Sequence, residues 1–404
     1  WLDTRDGSLR VYSAAQESWS TVESVTVELC AAGIGEGFAQ GDGVRIGGTG
    51  LDGVDGVCIL QQVSRDAVTV NAVVSGVKRL DGTVTLDREV PNLVLAAEAD
   101  NRVWGVCEGE NELRACKQGD PTNWQVYAGI STDSYAVSVG SDGTFTGIGT
   151  FGGSLLFFKE RWLHKLYGTQ PSNYQLITTP MAGVGQGMAA TMALAGDQLY
   201  YAGTDGVYAY DGSLPIKISR ALGDAALRGV CEAEDRGNYV LCTEGADGCS
   251  VWVYDTLHGC WYREDALAVT DMAAADGDVW MAAAGALWSR HGTITRNNDT
   301  TEETEDDIDW RAETTEQSLR TAGGKFVSRL LVRLRLGEGA TAEIGIRYDG
   351  EGAWLPMARV EAHGLRTTEV ALLPRRCDHY ALAFAGHGDA TIYSVCRELR
   401  GEAV

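Results

Sequence analysis

Three glycines spaced as Gly147-x-Gly149-x-x-Gly152 match the loop that cradles a dinucleotide pyrophosphate. That chemistry needs a strand before the loop and a helix after it. Here Ser154 to Lys159 continues as a second strand, so the spacing reads as a turn. Ser141-Asp142-Gly143-Thr144-Phe145 is close to the aspartate box of sialidase-like hydrolases, but one residue is missing from its spacing. Such a hydrolase gathers arginines on a substrate carboxylate and sets a nucleophile and an acid in one cleft. Arg102, Arg114, Arg161, Arg220, Arg228, Arg236, Arg263 and Arg290 recur at no common strand position. His164, His258, His291, His363, His379 and His387 have no ligand-like partner two or four residues away, and no G-x-S-x-G elbow is present. The expectation is a protein that is not an enzyme and carries no cofactor or metal.

Other residue types have a bland reading beside a functional one. The ten cysteines are scattered without a C-x-x-C pair, which a zinc site normally needs, and read as buried thiols. Cys242 and Cys249 are close enough in sequence to bridge a hairpin. Trp104, Trp124, Trp162, Trp252, Trp261, Trp280 and Trp288 suit sugar stacking, and suit strand cores at least as well. Arg375-Arg376, in Pro374-Arg375-Arg376-Cys377-Asp378-His379, make a basic pair in a loop. With Arg333 and Arg335, which alternate outward along a strand, and Asp306 and Asp307 in an acidic run, they are the candidate interface residues.

What must position these residues is an all-β framework. Leu9-Arg10-Val11-Tyr12, Leu113-Arg114-Ala115-Cys116, Leu163 to Gly168, Val207 to Gly212, Val251 to Asp255 and Ala286 to Ser289 repeat one strand pattern. Markers at Cys116, Tyr167, Tyr210, Tyr254 and Ser289 stand 51, 43, 44 and 35 residues apart. A period near 40 built of strands and turns predicts β-propeller blades. The prediction is about six blades: residues 1–24 as a first blade segment, then 93–297. A small β-barrel or sandwich domain is inserted at 25–92. A short helix is expected from Ser219 to Val230. An acidic linker follows at 298–320, its Asp299 to Glu316 span reading as a solvated spacer without EF-hand spacing. Residues 321–404 alternate with period two and predict about eight strands in a jelly-roll-like β-sandwich.

The charge of −23 disfavours nucleic acid phosphates and anionic membranes as partners of the exposed surface. It is uneven: residues 1–320 carry 22 Lys/Arg against 46 Asp/Glu, while 321–404 carry 11 against 10. There is no run of 18 apolar residues, so no membrane insertion is expected. The chain opens on Trp1 in the middle of a strand-like run, and upstream sequence is expected.

Several phrases together resemble a family of structural proteins from tailed phages and prophages. They are Asn101-Arg102-Val103-Trp104-Gly105, Gly119-Asp120-Pro121-Thr122-Asn123-Trp124, Phe157-Phe158-Lys159-Glu160, Lys165-Leu166-Tyr167-Gly168 and Pro374 to Tyr380. The family is that of packaged-DNA-stabilisation, neck and tail-nozzle components. The resemblance implies a virion protein at the head–tail junction or in the tail. Copies would form a symmetric ring around the DNA channel, beside portal, adaptor or tail proteins. A carbohydrate- or receptor-binding propeller of the tail is the alternative, and a propeller glycosidase or lyase the third reading.

Overall fold

The computed structural model describes residues 2–3, 9–13, 18–49, 54–74, 84–222, 228–245, 248–291, 308–318, 326–372 and 375–400. They are all-β, in several small antiparallel sheets, with no α-helix among the described residues. The chain divides into two compact units, Trp1–His291 and Gly292–Val404.

The first unit holds five sheets in succession. Sheet one runs Leu93–Ala99, Arg102–Cys107, Glu112–Ala115, Tyr135–Ser138; sheet two Phe145–Phe151, Ser154–Lys159, Trp162–Tyr167, Gln175–Pro180. Sheet three runs Ala193–Ala195, Gln198–Gly203, Gly206–Tyr210, Ile216–Lys217; sheet four Arg228–Asp235, Asn238–Gly245, Gly248–Asp255, Cys260–Asp265. Sheet five has Val269–Ala275, Asp278–Ala283 and Ala286–Ser289. Spatial order follows chain order in each; tight turns join most of the strands, and a long segment joins Ala115 to Tyr135 in sheet one. Asp100 and Asn101 both have positive φ (53° and 57°), as do Asp276 and Gly277 (54° and 78°). Two such residues make the hairpin turn whose twist matches that of the strands, and Asp, Asn and Gly tolerate it best.

Successive sheets pack face to face around separate cores. Leu155 and Phe157 point into the core shared with sheet one, whereas Leu156 and Phe158 point into that shared with sheet three. A strand buried on both faces must be apolar without alternation, hence the unbroken Leu155-Leu156-Phe157-Phe158. Each buried Phe there contributes about 1.5–3 kcal/mol. First strands lie against one another: Leu93–Ala99 beside Phe145–Phe151, and Arg228–Asp235 beside both Ala193–Ala195 and Val269–Ala275. The Ala189–Thr191 turn touches both Phe145–Phe151 and Arg228–Asp235.

Ahead of sheet one stands a seven-stranded sheet, ordered Leu2–Asp3, Leu9–Ser13, Ser18–Cys30, Ala67–Val74, Gly56–Ser64, Gly43–Gly47, Thr85–Asp87. Val44, Val54, Leu60, Val68 and Val70 form its core. The expected boundary at residue 24 falls within a strand. Ser18–Cys30 is one strand, pairing with Leu9–Ser13 at one end and with Ala67–Val74 at the other. Its thirteen residues contain no Gly, Pro, Asn or Asp to end it. The expected helix from Ser219 is corrected. Among the described residues of that stretch there is a 3-10 turn, Ser219–Leu222, and the strand from Arg228 buries Cys231, Ala233 and Asp235 at period two.

The second unit has a four-stranded sheet, ordered Asp309–Glu313, Tyr380–His387, Thr341–Tyr348, Leu355–Val360, and a three-stranded one, Gly364–Ala371, Phe326–Leu336, Ala390–Arg400. One core, including Leu330, Val332, Leu334, Ile344, Ile346 and Phe384, serves both. About eight strands were expected in 321–404; six are described there. A seventh, Asp309–Glu313, lies inside the stretch expected to be linker. Trp310 explains it: the ring packs on the core, and its indole N–H donates to the Gly388 carbonyl at 3.0 Å. Asp309, Arg311 and Glu313 alternate outward, so a dense acidic composition coexists with a paired strand.

Candidate functional site

The interface residues expected from sequence are placed as follows. Arg333 and Arg335 lie on the exposed side of Phe326–Leu336, with Arg333 opposite Thr367 and Ser394, and Arg335 3.7 Å from Asp389. Arg329, on the same face, binds Glu369 at 3.0 Å and Glu398 at 2.5 Å. Arg375 belongs to the other sheet's surroundings, its guanidinium 5.3 Å from the centre of the Tyr348 ring, and Arg376 beside it is exposed. Asp306 and Asp307 lie outside the described residues.

Two glycines of the dinucleotide-like pattern serve packing, and the third, Gly152 (φ 56°), serves the turn between two strands. Gly147 and Gly149 lie within a strand, and a Cβ on Gly147 would stand 2.7 Å from the Met192 sulfur. Next to them Ser141 Oγ is 2.8 Å from His164 Nε2, and Thr178 Oγ1 lies 2.8 Å from His164 Nδ1, where a catalytic triad would have a carboxylate. His164 is fully buried, and burial, then the charge of Lys159, pulls it down to about 4. An imidazole at that value is a weak base at neutral pH. Lys159 is buried as well, donating to Asn111 Oδ1 at 2.9 Å and to the Ser141 carbonyl at 2.7 Å. Cys242 and Cys249 are not opposed: Cys249 stands across from Glu244, whereas Cys242 stands across from Cys231.

Three charged clusters escaped the sequence reading, and each fastens one part of the first unit to another. Arg88 donates to Asp120 Oδ2 at 2.7 Å, Thr122 Oγ1 at 2.6 Å, the Gly37 carbonyl at 2.7 Å and Asp42 Oδ2 at 3.1 Å. Asn123 Nδ2 donates to Asp42 Oδ1 at 2.9 Å. The seven-stranded sheet's Gly37–Asp42 loop is thereby tied to the 120–123 turn of sheet one. Burial raises Asp120, but hydrogen bonds from Thr122 and the charge of Arg88 outweigh it and hold the carboxyl below its ordinary value.

Arg102 sits at a core-facing position with Trp104 and Val106, where an unpaired guanidinium would be very costly. It donates to the carbonyls of Cys116 (2.8 Å), Ser131 (2.7 Å), Thr132 and Asp133, anchoring the segment between the third and fourth strands of sheet one. That phase was the available signal: arginine in step with Trp and Val on one strand face. Arg290, also buried, joins Asp235 of sheet four, and its Nε lies 2.7 Å from Glu264 Oε2; His291 Nε2 is 2.9 Å from Asp235. Burial lowers Arg290 and raises Glu264.

No protein-family model matches the sequence, and neither does any curated protein. Solved structures give faint likenesses. PorZ of the type-IX secretion system of Porphyromonas gingivalis is 16% identical, over 50% of this chain and only 28% of that chain, with a TM-score of 0.32. Hsv2 of Kluyveromyces lactis is 13% identical over 70% of this chain and 90% of that one, with a TM-score of 0.33. An exo-beta-1,3-galactanase of Phanerochaete chrysosporium is 10% identical over 74% and 95%, with a TM-score of 0.28. At such scores none bears on what this chain does.

Proposed function

We propose that the chain is a non-enzymatic structural component of a tailed-phage or prophage virion, at the head–tail junction or in the tail, with copies in a symmetric ring around the DNA channel. In this reading the five sheets and the N-terminal hairpin are blades of a six-bladed β-propeller. The seven-stranded sheet carries the inserted domain, and the second unit is a β-sandwich. Portal, adaptor or tail proteins are the partners, and the virion is the location.

One observation carries the proposal. The phrases that resemble the phage family coincide with the fasteners: Asn101 in the tight turn, Arg102 on four carbonyls, Trp104 in the core, and Asp120, Thr122 and Asn123 holding Arg88 and Asp42. Residues used to lock one domain on the next make a stiff block, which a ring subunit needs. An acidic first unit, facing the channel, would keep DNA from sticking to its wall. The test is the solution mass by light scattering, with negative-stain images of the same sample, alone and mixed with a candidate portal or tail complex. Rings with a central channel are expected. A monomer that joins no such complex, or a ring with a positively charged lumen, sinks the proposal.

A further inference from the structure

The segment between Ala115 and Tyr135 has no strand of its own, yet it is held throughout. Arg102 anchors its ends, Trp124 Nε1 donates to the Pro121 carbonyl at 2.8 Å, and Asp133 Oδ2 accepts from the amides of Gly129 (2.6 Å) and Ile130 (3.1 Å). Long loops fixed this well commonly serve binding. At its tip Tyr127 and Ile130 remain 61% and 55% exposed. They border a concavity of about 380 Å³, whose wall also includes Asp133, Tyr135 and Pro171. A second concavity, of about 210 Å³, is lined by Trp104, Tyr174 and Leu155. One aromatic partition separates the two: Tyr135 stands edge-on to Tyr174 at 4.9 Å, and Trp104 edge-on to Tyr174 at 5.3 Å.

Three buried polar atoms at these walls have no hydrogen-bond partner: Asp133 Oδ1, the Trp104 indole N–H and the Tyr174 hydroxyl. Asp133 is 4% exposed, and its Oδ1 accepts nothing; Trp104 is 1% exposed, and its indole N–H donates to nothing. Each such atom costs about 1–3 kcal/mol, and each gains when a ligand supplies the missing group. An anion would satisfy Trp104 but meet Asp133 and Asp100, which lines the smaller concavity. A cation would satisfy Asp133 and leave Trp104 without an acceptor. A hydroxyl is donor and acceptor at once, and sugar rings present hydroxyls at their edges and C–H groups to aromatic faces. We infer that the paired concavities around Tyr127, Tyr135 and Trp104 bind a neutral carbohydrate. The larger volume falls within the range of about 300–1,000 Å³ usual for small-ligand sites.

This inference does not depend on ring assembly, so either can fail alone. The full chain is applied to an array of neutral and sialylated glycans, and the retained glycan is titrated against tryptophan fluorescence. Retention of neutral glycans is expected. Affinity should fall at least tenfold in Tyr127→Ala, an exposed position that leaves the melting temperature unchanged, and severalfold in Asp133→Asn. Failure to retain any neutral glycan, preference for sialylated ones, or binding indifferent to both substitutions overturns the inference and leaves ordered water as the occupant.

Discussion

Glu232 is pushed up to about 8, first by burial and then by the charge of Glu234. The folded chain therefore keeps a proton that the unfolded chain releases near 4.5, and the stability this provides is lost as the pH climbs from 4.5 through 8. His164 works with the opposite sign: unfolded it takes a proton near 6.5, folded only near 4, so stability falls as the pH drops across that window. Between 4.5 and 6.5 the two slopes oppose each other. Glu232→Gln should therefore leave stability near pH 4 unchanged and raise it by about 1–3 kcal/mol at pH 9, read from urea midpoints. An equal gain at both pH values would refute the assignment. Arg88→Met should cost about 2–4 kcal/mol, because it strands Asp42, which is buried, without its cation. Hydrogen exchange should rise in both the Gly37–Asp42 and 120–123 segments; a rise in only one would mean that Arg88 does not couple the domains.

At the scale of the element, Arg102→Lys keeps the charge but loses the planar fork that reaches four carbonyls. A loss of about 2 kcal/mol is expected, with faster proteolysis confined to the segment between Ala115 and Tyr135. Uniformly faster cleavage would show that the whole sheet depends on the fork. Elements also show what could be read from the sequence and why. The repeated runs from Leu113 to Ala286 fall on the third strand of each of the five sheets; in sheets two, three and four that strand alternates between two facing cores, whereas Ala286–Ser289 of sheet five is largely exposed and carries the pattern without them. Asp309–Glu313 was hidden because charge density masked Trp310, the one residue that reaches the core. The helix expected after Ser219 reflected helix-forming composition in a stretch whose burial has strand period from Arg228. The fasteners were invisible for a further reason: Arg88 meets residues 32 to 51 positions away, and spacing along the chain does not report such pairings.

For the whole molecule, the division into two units with separate cores gives a direct test. Residues 308–404 alone should melt cooperatively, since seven strands and one shared core lie within them. Loss of near-UV dichroism in that fragment would mean that its packing needs the first unit. The strand Ser18–Cys30 has a consequence of another kind, a mechanical one. It is hydrogen-bonded to Leu9–Ser13 at one end and to Ala67–Val74 at the other. Tension applied to the N-terminal hairpin along that strand has no slack connector to stretch. It loads rows of antiparallel hydrogen bonds in shear, many at once, rather than opening them singly. In a single-molecule pulling trace the hairpin and the seven-stranded sheet would therefore yield in one rupture event, and the strand would act as the tie-rod between them.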